Sequence, residues 1–235
     1  MKHLLLWIML IIAFNAKAGA AHQELRQVVS ERLGVPVYLV EQSPIAGLYM
    51  LGTSQGLFYS DANGDYLLQG VMLDMTQQMK NLTLLEMRAQ RRLGLAQVSY
   101  SPRVFQASDE LYRVALFVGE DCPYCHHLPA ALQQLQRLGV SVEVYPVIDH
   151  PEQAAAWCDD PLLQNNSFHT YLPHEGCNEI LTDNIGLSQW LGIKVLPTWV
   201  TSSGDLVRGY QSPERLLKIL DNFTDASAHP SSSAR

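Results

Sequence analysis

Beyond its first residues the chain has no apolar run approaching the roughly 20 residues that a helical bilayer span requires, so no internal membrane span is expected. Basic clusters are equally scarce. Arg88, Arg91 and Arg92 form the one close group, in a chain of net charge −7. Phosphate backbones demand a basic face, so nucleic acid is a poor candidate partner, and no segment has the basic, amphipathic pattern of a membrane-surface helix. Internal repeats are missing as well. Cysteine is sparse, with four in 235 residues, which makes the spacing of those four the informative feature.

What is present begins at the N-terminus. Lys2 and His3 precede an unbroken apolar run from Leu4 to Phe14, followed by small residues at Ala16, Ala18 and Ala20. This is the three-part layout of a secretory signal peptide, cleaved after Ala18 or Ala20. The alternative is a retained membrane anchor, for which the run is short. Cleavage after Ala20 reduces 16 basic groups to 14 against 23 acidic ones, and the net charge moves from −7 to −9. Apolar residues make up 47% of the chain, enough for a packed globular protein of one large or two small domains. Export to an oxidising compartment lets disulfides persist, and an even cysteine count suggests two pairs. Cys122 and Cys125 lie two residues apart, whereas Cys158 and Cys177 are separated by a polar loop.

Hydrophobic periodicity divides the mature chain. Leu25, Val28, Val29 and Leu33 follow the rhythm of an amphipathic helix over Gln23 to Leu33, closed by Gly34. Short apolar runs at Val37 to Val40, Leu48 to Leu51, Gly56 to Tyr59 and Tyr66 to Gln69 read as strands, the last two joined through a turn at Asp61 to Asp65. A sheet of this size buries little surface alone, so pairing with a second copy is expected of residues 21–78. Residues 79–96 read as a linker helix. Its core from Leu82 to Leu93 is free of Gly and Pro, and Gly94 stands at the expected cap; an ordinary surface helix fits the same residues.

From Leu111 strand and helix alternate. Leu111 to Val118 is a near-continuous apolar strand. Tyr124 to Leu138 is a helix, kinked at Pro129 and closed by Gly139, and Val140 to Val147 is a second strand, completing a βαβ unit. Helical segments at Glu152 to Cys158 and Leu181 to Leu191 follow. Then come a strand at Pro197 to Thr201, a turn at Ser202 to Asp205, a strand at Leu206 to Tyr210 and a helix from Pro213 to Phe223. This is the element order of a thioredoxin-like fold over residues 97–223, with a helical insertion; residues 224–235 are Ser/Ala-rich and expected to be a disordered tail.

Two constellations carry chemistry. Cys122-Pro123-Tyr124-Cys125 falls at the junction of a buried strand and a helix. Unpaired N–H groups and the helix dipole there favour a thiolate, so Cys122 is the expected nucleophile and Cys125 the resolving thiol. Pro123 suits an early helical position, and Tyr124 supplies a partly apolar rim. Glu120 and Asp121 oppose the thiolate if they lie near the sulfur. With His126 the motif also reads C-x-x-C-H, a c-type haem attachment, while Cys122, Cys125, His126 and His127 name a possible zinc set; both crowd their ligands onto one turn beside a buried strand. The second constellation is Leu196-Pro197, at the start of a strand. A cis peptide there presents the Leu196 backbone to an extended substrate, and a trans proline capping an edge strand is the plain alternative.

The mature chain resembles the DsbC/DsbG family of disulfide isomerases at Ser43 to Leu48, Gly56 to Tyr59, Leu68 to Gly70, Cys122 to His126, Trp157-Cys158, Leu187 to Gly192 and Gly209 to Gln211. The resemblance implies a periplasmic thiol:disulfide interchange enzyme with no cofactor. It implies an α+β N-terminal dimerisation domain, a linker helix, and two α/β thioredoxin-like domains facing a cleft that holds misfolded exported proteins in a chaperone-like way. It further implies a homodimer, a membrane thiol reductase as electron donor, a structural Cys158–Cys177 disulfide and a cis bond before Pro197. Pro123 and Leu196 depart from the Gly and Thr usual in that family, so redox potential and substrate preference do not carry over.

Overall fold

The computed structural model describes residue 19 and residues 21–119, 127–148 and 176–228, with side chains described as far as Phe223. Residues 1–18 and 20 of the expected signal peptide, the cysteine motif with His126, the expected helix at Glu152 to Cys158, and residues 229–235 lie outside the described residues. Two compact units divide between Met87 and Arg88.

In the first unit, helix α1 (residues 21–33) precedes an antiparallel meander of β1 (Val37–Gln42), β2 (Leu48–Thr53), β3 (Gly56–Asp61) and β4 (Leu67–Leu68), in that spatial order. Alternation along the strands sorts the side chains. Leu51 and Phe58 join Val37 and Val40 under Leu25 and Val29 of α1, while Met50, Leu57 and Tyr59 face the other way and pack with Met72 and Met87. Gly34, at a φ of 66°, ends α1 as expected, its N–H donating to the Ser30 carbonyl at 3.0 Å. A two-stranded ribbon follows, β5 (Leu73–Asp74) with β6 (Lys80–Asn81). The sequence shows no periodicity there, because neither strand exceeds two residues. The Asn81 side chain accepts the Leu84 N–H at 2.8 Å and so caps α2 (Leu82–Ala96).

Gly94 is not the cap of α2. The helix continues through it to Ala96, and a β-carbon on Gly94 would lie 2.9 Å from Leu191 Cδ2. This glycine is a point of close helix packing.

The second unit is a five-stranded sheet in the order β11, β10, β8, β9, β7. Its strands are β7 (Arg103–Phe105), β8 (Tyr112–Val118), β9 (Val140–Pro146), β10 (Thr198–Thr201) and β11 (Leu206–Arg208). β8 and β9 are parallel; β10 is antiparallel to both β8 and β11, and β7 is an antiparallel edge on β9. The unit has a thioredoxin-like architecture. Both sheet faces are covered, which explains the unbroken apolar run of β8. Val114, Leu116 and Val118 pack against Leu128, Leu132 and Leu135 of α3 (Leu128–Arg137) and against Leu216 and Leu220 of α5 (Pro213–Ala228). Ala115 and Phe117 face Tyr145, Val200, Leu95 and the Leu187 to Leu191 end of the protein's fourth helix, α4 (Cys177–Trp190). The described part of α3 has Pro129 in its first turn; the expected start of this helix at Tyr124, on which a kink at Pro129 depends, lies outside the described residues. Two expectations shift. α4 starts four residues ahead of Leu181, and α5 runs beyond Phe223 to Ala228, into the stretch read as tail. The edge strand β7 went unread because three residues leave no usable period.

Three arginines fasten the C-terminal half of α2, which begins the second unit, to the rest of that unit. Arg88 donates to Asp205 at 2.7 Å, Arg92 to the Ser203 carbonyl at 3.1 Å, and buried Arg91 to the carbonyls of Leu191 and Gly204, each at 3.0 Å. The basic group noted in the sequence is engaged with acceptors of its own fold.

Candidate functional site

β8 arrives fully buried and stops at Val118, whose carbonyl accepts the Val147 N–H at 2.7 Å. Gly119 follows, and on the far side α3 begins after His127. The connection between them carries Cys122, Pro123, Tyr124 and Cys125, which lie outside the described residues with His126. What the structure describes is the frame at both ends of the motif.

One wall of that frame is the Leu196–Pro197 loop. Its peptide bond is cis, as the resemblance implied. Pro197 is buried, and its carbonyl accepts the Gly209 N–H at 2.8 Å, so the β10–β11 hairpin holds it in place. The Thr198 hydroxyl donates to the Val195 carbonyl at 2.7 Å, folding the chain back just before the proline. Register sets the loop's position: Thr198 pairs with Phe117, putting the start of β10 beside the end of β8. The Leu196 side chain lies over Gly119, where an added β-carbon would come within 2.7 Å of Leu196 Cδ1. Gly119, which leads into the cysteine motif in sequence, and the Leu196–Pro197 loop are thereby brought together at the C-terminal end of β8.

The loop presents Lys194 and Val195 to solvent, while Trp199 behind it is fully buried and donates its indole N–H to the Gly209 carbonyl at 3.2 Å. On the α3 side the His127 ring lies 5.8 Å from the Tyr210 ring, tilted by 45°. Cys177 is buried at the start of α4 and is disulfide-bonded; the other three cysteines lie outside the described residues. Among the described residues no group of three or more His, Cys, Asp or Glu is placed to hold a metal ion, and no helix is long and apolar enough to cross a membrane.

Gly119 and Gly209 are the site residues that the sequence reading missed. The signal for Gly119 was available: a glycine directly after a buried strand marks a close approach of other atoms. Gly209 acts through its backbone, its N–H donating to Pro197 and its carbonyl accepting from Trp199, and nothing in a side chain can advertise that.

Residues 102–224 match the family described as "Thioredoxin-like domain", and residues 16–84 match "Disulfide bond isomerase protein N-terminal domain". Similar full-length proteins are named Thiol:disulfide interchange protein DsbC. That of Salmonella typhimurium is 27% identical, covering 94% of this chain and 95% of its own; that of Haemophilus influenzae is 27% identical, covering 94% and 98%. The chain belongs to the thioredoxin-like domain family. A solved catalytic domain of Proteus mirabilis ScsC aligns at 20% identity with a TM-score of 0.44, over 58% of this chain and 96% of that one, and adds nothing to the family assignment. The two family matches and the similarity to the DsbC proteins span both units, so the frame around the motif belongs to a two-part chain and not to an isolated thioredoxin-like domain.

Proposed function

We propose that this chain is a thiol:disulfide interchange enzyme that rearranges wrong disulfides in exported proteins. The observation that carries the reading is the frame at the two ends of the Cys122–Cys125 motif. In sequence the motif falls between a buried central strand and α3, and Gly119, which follows that strand, is covered by Leu196 of the proline loop. Cys122 as thiolate attacks one sulfur of a substrate disulfide, forming a mixed disulfide and releasing the other sulfur as a thiolate. If a substrate thiolate then attacks the mixed disulfide, Cys122 is regenerated and the substrate is isomerised with no net redox change. If Cys125 attacks instead, the substrate leaves as a dithiol and Cys122–Cys125 becomes a disulfide, which must be reduced before the next cycle. A membrane thiol reductase is the electron donor for that step, and no cofactor is required. Pro123 and Tyr124 shape the rim of the motif; Leu196 and Pro197 form the shelf on which extended substrate lies. Cys158 and Cys177 form a structural disulfide.

The same reading makes the protein a periplasmic homodimer, exported through a cleaved signal peptide and binding unfolded chains in the manner of a chaperone. Tyr66, Leu68 and Val71 support the dimer. They are 76%, 60% and 64% exposed on and beside the edge strand β4, a concentration of apolar surface that a second copy would cover. The test is recovery of activity from a scrambled multi-disulfide protein in glutathione buffer. Recovery by the wild type that disappears with Cys122→Ala is the expected result. Equal recovery by both would overturn the thiol-exchange reading.

A further inference from the structure

The segment that bears the Leu196–Pro197 shelf leaves α4 at Leu191 and ends in the β10–β11 turn at Gly204. One side chain from a distant part of the chain holds both ends. Arg91 donates its Nε–H to the Leu191 carbonyl and an Nη1–H to the Gly204 carbonyl, each at 3.0 Å, with the residue only 5% exposed. We infer that Arg91 is a positioning residue for the redox site, a clip from α2 that fixes the base of the substrate-facing loop; this rests on the thiol-exchange reading above.

The structure offers a route for that influence. Leu191, Ile193 and Leu196 share one apolar cluster with Phe117 at the end of β8, so the held end of the segment and the shelf residue pack on the same surface. Leu191 also ends α4, where Gly192 takes a φ of 72° and the Ile193 N–H returns to the Ser188 carbonyl at 2.9 Å. The guanidinium therefore satisfies a carbonyl that the helix end cannot, and lies at the negative end of the α4 dipole. Its planar fork can serve two acceptors at once, which a lysine ammonium does less well. Burial and the neighbouring Arg208 lower its pKa to about 10, yet it stays charged at neutral pH. Arg88 is the natural comparison, because it joins the same helix to the same turn through Asp205 and makes no bond to Leu191.

The experiment compares wild type, Arg91→Lys, Arg91→Met and Arg88→Gln in two assays at a temperature where each is folded. One is turnover of a scrambled disulfide protein, separated into kcat and KM. The other is exchange with a small aromatic disulfide, which needs Cys122 but no extended shelf. Arg91→Lys is expected to raise KM for the protein substrate about fivefold, with small-disulfide exchange unchanged and Arg88→Gln near wild type. Arg91→Met should exceed Arg91→Lys. Should Arg91→Met fold poorly, the comparison of Arg91→Lys with Arg88→Gln decides alone. An unchanged KM in Arg91→Lys, or an equal rise in Arg88→Gln, would overturn the proposal. Absence of small-disulfide exchange in the wild type would instead sink the thiol-exchange reading and take this inference with it; exchange present with KM unmoved sinks the inference alone.

Discussion

Gly204 is the position at which a single methyl group should do the most damage per atom. Its φ is 86°, a conformation that costs an L-residue about 1–2 kcal/mol. A β-carbon there would lie 2.3 Å from the Arg88 carbonyl oxygen and 2.9 Å from Arg88 C and Cα. These are backbone atoms in the middle of α2, so no rotamer change relieves the clash; the turn and the helix must separate. Separation also removes the 3.0 Å bond from Arg91 to the Gly204 carbonyl, and a hydrogen bond to a charged group contributes about 1.5–3 kcal/mol. Together the terms make Gly204→Ala destabilising by about 3–5 kcal/mol, or a Tm fall on the order of 10 °C for a domain of this size.

Gly94→Ala provides the internal control on the same helix. There the nearest atom to an added β-carbon is Leu191 Cδ2 at 2.9 Å, the end of a side chain that can turn. Alanine gains about 1 kcal/mol of helix propensity, against an overpacking cost of about 1–3 kcal/mol. Its net loss should be less than half that at Gly204. Thermal unfolding followed by circular dichroism, on both variants under the same buffer, checks the order. A Gly204→Ala protein melting within 3 °C of wild type, or below-wild-type stability in the reverse order, would refute the claim that the α2 contact with the β10–β11 turn is rigid.

Glu110 accepts hydrogen bonds from Ser141 and from the Arg113 guanidinium, 2.6 Å away, which hold its pKa at about 2 against an ordinary value near 4.5. A depressed carboxylate stabilises the fold above its unfolded value and loses that contribution as pH falls from about 4.5 to 2; the stability gap between wild type and Glu110→Gln, seen at pH 6, should shrink towards zero by pH 2 in denaturant titrations. The effect is modest because the carboxylate is close to solvent. Leu68→Lys, at an exposed position on the edge strand, should convert the proposed dimer to monomer by sedimentation at micromolar concentration with the first unit still folded; an intact dimer would move the interface elsewhere. Gly119→Ala forces Leu196 aside at a 2.7 Å contact, and should reduce turnover of a protein disulfide severalfold while the melting temperature changes by only a few degrees.

What the sequence revealed and what it hid divides by the range of the interactions involved. β8 was legible because burial on both faces leaves a continuous apolar run, and the first-unit strands because apolar residues on both faces, Leu51 and Phe58 on one and Met50 and Tyr59 on the other, leave short apolar runs between turns. Local rules failed where a tertiary contact took over a residue that they had claimed. Gly94 satisfies the composition of a helix stop, yet α2 runs through it because Leu191 needs the space where a β-carbon would stand. Arg88, Arg91 and Arg92 look from the sequence like a basic surface group, but α2 spacing turns them towards the turn at Ser203 to Asp205, more than a hundred residues away. The candidate site obeys the same division. Cys122 and Cys125 are announced by their spacing after a buried strand, whereas the contact between Gly119 and Leu196 depends on β10 pairing antiparallel to β8 with Thr198 opposite Phe117. A register shift of one residue would carry Leu196 off Gly119 and turn Trp199 out of the core. The candidate reactive residues can thus be named from a motif, but the frame at its ends is set by strand register, and it is at Gly119, Arg91 and Gly204 that substitutions should separate the two.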